Sequence, residues 1–117
     1  MDKVIFYRQA IKNVLTRYKD LLERCLSDEQ KSELESVFVF DDANGNYGWL
    51  KFGWPMGKRF DGITAFVRLR EGKFYIEEDC TEEGIANELV TAGVSKEDIV
   101  LAFQPPSKRI YTEFAVA

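Results

Sequence analysis

Three turns of hairpin length constrain this chain more than any other feature. Between Ser32 and Asp79, four apolar stretches are separated only by Asp42-Ala43-Asn44-Gly45-Asn46, Pro55-Met56-Gly57-Lys58 and Glu71-Gly72. Asn-Gly and Glu-Gly steps accept the positive φ that tight hairpins need. Parallel neighbours require a crossover of about a dozen residues or more, so strands joined this closely run antiparallel. The expected strands are Ser32–Asp41, centred on Val37-Phe38-Val39-Phe40, then Tyr47–Trp54, Phe60–Arg70 and Lys73–Asp79. In the third, Ile63, Ala65, Val67 and Leu69 alternate with Thr64, Phe66, Arg68 and Arg70. In the fourth, Phe74 and Ile76 point inward.

Helical periodicity brackets this meander. Val4, Ile11, Val14, Leu15, Tyr18, Leu21, Leu22 and Cys25 recur at three- and four-residue steps, which predicts one amphipathic helix over Asp2–Cys25. Leu26–Lys31 reads as a polar linker. Thr81 reads as an N-cap with Glu82 and Glu83 in the first turn, and Gly93 as the residue that ends a second helix near Ala92. Ser95-Lys96-Glu97-Asp98 forms a further short turn, Ile99–Phe103 is strand-like, and Pro105-Pro106 stops it. The expected fold is α+β. A long N-terminal helix packs on an antiparallel meander of about four strands, followed by a second helix, a short strand and an extended tail, in one domain spanning residues 1–117.

Charge and residue types narrow the chemistry. The net charge is −4, but it is uneven: Lys3, Arg8, Lys12, Arg17, Lys19 and Arg24 against Asp2, Asp20 and Glu23 give the first helix +3, which leaves −7 on the rest. Basic stems covering the edges of the apolar stripe account for this pattern. Phosphate contact through Lys12 and Lys19 is the alternative. Trp54, Lys58 and Arg59 mix aromatic and basic groups at the second turn, a combination that can stack bases and hold phosphates.

There is no histidine, which removes Ser-His-Asp catalysis, Cys-His nucleophiles and histidine metal sites. Cys80 stands beside the expected cap at Thr81, where a helix N-terminus would lower its pKa; an inert thiol is the default. Glu77, Glu78, Asp79, Glu82 and Glu83 form the densest acidic cluster, a weak basis for metal binding or acid–base work and a better one for a basic partner surface. No metal or cofactor is expected. No apolar run approaches the roughly 18 residues of a membrane span, and two distant cysteines suggest a reducing compartment, so a cytoplasmic location is the expectation.

The C-terminal third carries a specific signature. Thr81–Val90, Ala92-Gly93-Val94, Lys96–Leu101, Phe103, Pro105-Pro106, Arg109 and Tyr111–Ala117, together with Gly53-Trp54, Lys58-Arg59, Gly62, Gly72-Lys73 and Asp79, resemble the XisI family of fdxN-element excision controlling factors. Cys80 departs from the usual glycine, and Gln104 from a residue that is often basic or histidine.

The resemblance implies an accessory factor in programmed excision of a DNA element in cyanobacteria. Such a factor acts with a site-specific recombinase and an XisH-like protein, and controls the reaction without cutting DNA. Nucleic acid would be met indirectly or weakly. Read from its residues, the tail spends Tyr111, Phe114 and Val116, with Arg109 beside them, either on docking against its own sheet or on an interface with a partner protein or a second copy. Direct DNA binding and a small metal-dependent enzyme are the alternatives.

The isolated protein is expected to bind random duplex DNA weakly, because −7 on the body outweighs +3 on the helix. Electrophoretic mobility or anisotropy titration at physiological salt checks this; a submicromolar dissociation constant would overturn it.

Overall fold

The structure is a computed structural model, and it describes residues 2–117. Helix α1 (Lys3–Cys25) is capped by the Asp2 carboxylate, which accepts from the Val4 N–H at 2.9 Å. Its buried face consists of Tyr7, Ala10, Ile11, Val14 and Leu15, with Val4, Tyr18 and Leu22 packed at its margin. Leu21 and Cys25, expected on the stripe, are exposed, whereas Leu22 beside them packs against the core.

The expected linker at Leu26–Lys31 is instead mostly a second helix, α2 (Asp28–Glu33). Ser27 and Gln30 form a capping box, each side chain satisfying the other's backbone N–H at 3.1 and 2.9 Å. No apolar periodicity marks so short a polar helix, so only the Ser-x-x-Gln spacing could have revealed it.

The meander is as expected: β1 (Leu34–Asp41), β2 (Asn46–Gly53), β3 (Phe60–Arg70) and β4 (Lys73–Asp79) pair antiparallel in chain order. At the first turn Gly45 has φ 69°, and Arg70 holds the loop by donating to the Asn44 carbonyl at 2.5 Å and the Asn46 side chain at 3.0 Å. A bulge between Trp49 and Leu50 shifts the register of β2 on β3, so Leu50 faces Ile63. Ile63 thereby leaves the inward row of Ala65, Val67 and Leu69 and is 49% exposed.

The last strand differs in direction. β5 (Ile99–Val100) lies beside β4 in parallel, giving a mixed sheet in the order β1-β2-β3-β4-β5. Helix α3 (Ile85–Thr91) supplies the crossover that a parallel pair requires. Its start is later than expected. Thr81 is not the cap residue; the Asp79 carboxylate accepts from the Ile85 N–H at 2.7 Å and from the Thr81 N–H at 2.9 Å. Glu82 and Glu83 therefore stand ahead of the helix, outside its first turn.

Its end is where the sequence placed it. Gly93 has φ 106°, the Gly93 N–H bonds Val90 O at 3.0 Å, and the Val94 N–H bonds Leu89 O at 2.9 Å. This is a Schellman motif, closed by the buried pair Leu89 and Val94.

One core joins α1 and α3 to a single face of the sheet. Tyr47, Val67, Phe74, Ile76, Ile85, Leu89 and Ile99 lose all exposure there, with Ile11 and Leu15 above them. Tyr7 stacks on Phe74 at 5.3 Å and Tyr18 lies against Trp49 at 5.2 Å, the spacing at which aromatic pairs attract.

Two substitutions test these stops. Gly93→Ala places a Cβ 3.2 Å from the Phe6 ring and forces a left-handed alanine, so it is expected to destabilise by about 1–2 kcal/mol in urea unfolding. Asp79→Ala removes the cap of α3 and is expected to cost about 1–2 kcal/mol. A neutral result for either would show that the corresponding terminus is held in another way.

Candidate functional site

The residues that suggested DNA contact lie apart. Lys12 donates to the Asp42 carboxylate at 2.7 Å, on the β1–β2 turn. Trp54, Lys58 and Arg59 sit at the β2–β3 turn, at the other end of a strand about 26 Å long. Lys19 is exposed further along α1, beside Glu23. Three of the helix's six cations are spent on the acidic body: beside Lys12, Lys3 pairs with Asp98 at 3.2 Å and Arg17 pairs with Glu88. At the second turn, Trp54 is 62% exposed with Arg59 over its ring at 5.7 Å, while Lys58 is free at the surface. An exposed indole could stack a base, but here the Arg59 cation already occupies its face.

The acidic cluster is dispersed into structural roles. Asp79 caps α3, and Glu77 faces Arg68 at 3.7 Å. Glu78 accepts from the Cys80 thiol at 3.7 Å. Cys80 is not at a helix N-terminus, since α3 begins five residues later. Loss of part of its water shell, then the Glu78 carboxylate, raises its pKa, the reverse of what a nucleophilic thiol needs. Among the described residues, no group of three or more acidic or cysteine side chains is arranged to hold a metal ion. None of the described helices is long and apolar enough to cross a membrane.

A carboxylate that the sequence did not single out is the buried one. Glu88, 7% exposed on α3, receives the Tyr18 hydroxyl and the Arg17 guanidinium from α1. Burial raises the Tyr18 hydroxyl pKa above its ordinary value, keeping it a donor. The three groups tie the two helices together. A lone Glu on the inner side of a helix, with an Arg-Tyr pair on another, was its only trace in sequence.

The tail docks on its own sheet. After a 3₁₀ turn at Pro106–Tyr111, the Ala115 N–H bonds Ile99 O at 2.8 Å, and Phe114 packs half-buried against the core. Arg109 pins the segment by donating to Gln104 O at 3.0 Å, Ala102 O at 3.3 Å and Val116 O at 3.5 Å. Tyr111 and Val116 remain outside, 79% and 50% exposed, next to Ile110 at 66%. The four residues singled out thus divide into two that hold the tail and two that face solvent.

A further surface feature is the sheet face turned away from the helices. Register across the strands places four rows on it: Glu35–Phe52–Asp61, Val37–Leu50–Ile63, Val39–Gly48–Phe66–Glu78, and Asp41–Asn46–Arg68–Tyr75. The two middle rows are apolar as far as β3, and the charges lie in the outer rows and at Glu78 on β4. The Phe66 ring lies over Gly48, where a Cβ would stand 3.1 Å from it, beside a Leu50 methyl. Val39, Phe52 and Ile63 are 44%, 37% and 49% exposed. An apolar centre inside a charged rim is the anatomy of a protein interface. Its sequence signal was the unbroken Val37-Phe38-Val39-Phe40 run, which puts bulky apolar groups on both faces of β1.

Comparison with known proteins places this architecture. A family model described as XisI protein matches residues 1–116. No curated protein matches the chain. Among solved structures, the fdxN element excision controlling factor XisI from Anabaena variabilis is 36% identical, with a TM-score of 0.83 over 99% of this chain and 100% of the other. A XisI-like protein from the same organism is 32% identical, with a TM-score of 0.84 over 97% of this chain and 99% of the other. The expected α+β fold and the resemblance read from the C-terminal third agree with these matches, and the chain belongs to the XisI family.

Proposed function

We propose that this protein is an accessory control factor in the excision of a DNA element, acting through a protein partner and performing no chemistry itself. The reading joins family membership to one observation: the uncovered sheet face, apolar at Val37, Val39, Leu50, Ile63 and Phe66 and charged at its margins. Monomeric proteins rarely leave so continuous an apolar face in water, and the usual reason is a partner. An XisH-like protein is the proposed partner, and the exposed Tyr111 and Val116 of the tail form a second contact.

Direct DNA binding is the weaker reading. Lys3, Lys12 and Arg17 are held in ion pairs with the body, so a phosphate would have to displace an existing carboxylate at each.

Co-purification with an XisH-like protein tests the proposal. Ile63→Lys and Phe52→Glu change half-exposed side chains and are expected to leave stability within about 0.5 kcal/mol, while weakening the complex at least tenfold. Lys12→Glu is expected to leave it unchanged. A complex that tolerates both face substitutions would sink the assignment of this surface.

A further inference from the structure

We infer that β1 is a self-pairing edge, at which a second copy of this chain adds its own β1 antiparallel across a two-fold axis. The two margins of the sheet differ sharply. On the β5 side the edge is blunted: the strand is two residues long, Ala115 of the tail bridges alongside Val100, and Pro105-Pro106 follows. On the other side, β1 runs eight residues, carries no proline, lysine or arginine, and has no register shift against β2. The bulges of this sheet lie at β2–β3 and β3–β4. A long edge strand with an apolar centre and no proline, lysine, arginine or bulge, its charges confined to Glu35 and Asp41 near its ends, is a template for another strand.

The unpaired groups can be assigned. The Trp54 N–H bonds Glu33 O at 3.0 Å, and from Leu34 onward β1 and β2 stay in register. Alternation along an antiparallel pair then turns the main-chain groups of Glu35, Val37, Val39 and Asp41 toward β2. Those of Ser36, Phe38 and Phe40 point off the edge.

A two-fold axis at Phe38 satisfies all three residues with one partner strand. Phe38 faces its own copy and Ser36 faces Phe40, closing about six main-chain hydrogen bonds, and Val37 faces Val39 on the open side. Self-complementarity of this kind selects a second copy as the occupant, because an isologous contact needs only the one strand. At each end Glu35 meets Asp41, a like-charge pair that weakens the contact and keeps it reversible. The pairing also doubles the width of the apolar face. It stands independently of the excision reading.

A strand pair lies at the small end of stable interfaces, about 1,200 Å² or less, so the dimer is expected to dissociate on dilution. Sedimentation equilibrium of the intact chain from about 200 µM to about 1 µM is expected to pass from twice the chain mass to the chain mass. Phe40→Pro deletes an N–H that points off the edge, on a residue already 42% exposed, and is expected to remain monomeric throughout while Ile63→Lys still dimerises. Amide exchange of the wild-type protein, which needs no variant to fold, is expected to show the Phe38 and Phe40 N–H groups at least tenfold more protected at the high concentration than at the low one. A wild-type protein that is monomeric throughout would overturn the inference. So would a dimer that survives Phe40→Pro but is lost with Ile63→Lys, or a dimer whose Phe38 and Phe40 amides exchange freely.

Discussion

The seating of α1 on one face of the sheet governs the rest of this molecule. Ile11 and Leu15, neither with any exposed surface, fill the space above Tyr47, Val67 and Phe74. Full burial of one such aliphatic side chain stabilises by about 1.5–3 kcal/mol, so the helix is held mainly by its apolar face and only secondarily by surface ion pairs. The Glu88 cluster then fixes α3 to the same helix from the side. Because α1 and α3 occupy one side, the other side of the sheet is left without a helix over it. An α+β chain of this size has too few elements to coat both faces.

This one-sidedness explains how the charged residues are used. A basic helix on an acidic body could have been a nucleic-acid surface. Instead Lys3, Lys12 and Arg17 reach down to Asp98, Asp42 and Glu88, joining helix to turns and to α3. Likewise the carboxylates at the end of β4 do not converge on a common point: Asp79 ends as a helix cap, and Glu78 accepts from the Cys80 thiol. Charge in this protein assembles the layers, and apolar surface is what it offers outward.

The two sheet margins show the same economy. The C-terminal segment turns back after the double proline and closes the β5 edge with one bridge, pinned by Arg109 and weighted by Phe114. No equivalent segment reaches β1. Family members with this fold include the fdxN element excision controlling factor XisI, and the scaffold in this chain has one closed edge, one open edge and one open face.

Sequence by itself determined the elements whose cause is local. Amphipathic spacing marked α1, Asn44-Gly45 and Glu71-Gly72 set the hairpins, and Gly93 stopped α3, because helical periodicity and positive φ are written in adjacent residues. The C-terminal pattern also carried the family. Tertiary structure decided what depends on distant partners. The bulge at Trp49 and Leu50 turned Ile63 outward, against its own alternation. The carboxylate of Asp79, two residues before Thr81, took the cap because β4 delivers it to the Ile85 N–H. The parallel direction of β5, the division of the tail into Arg109 and Phe114 inside and Tyr111 and Val116 outside, and the bare face and edge all follow from long-range pairing. Strand neighbours are chosen by packing energy summed over the whole sheet, which no short window of sequence contains.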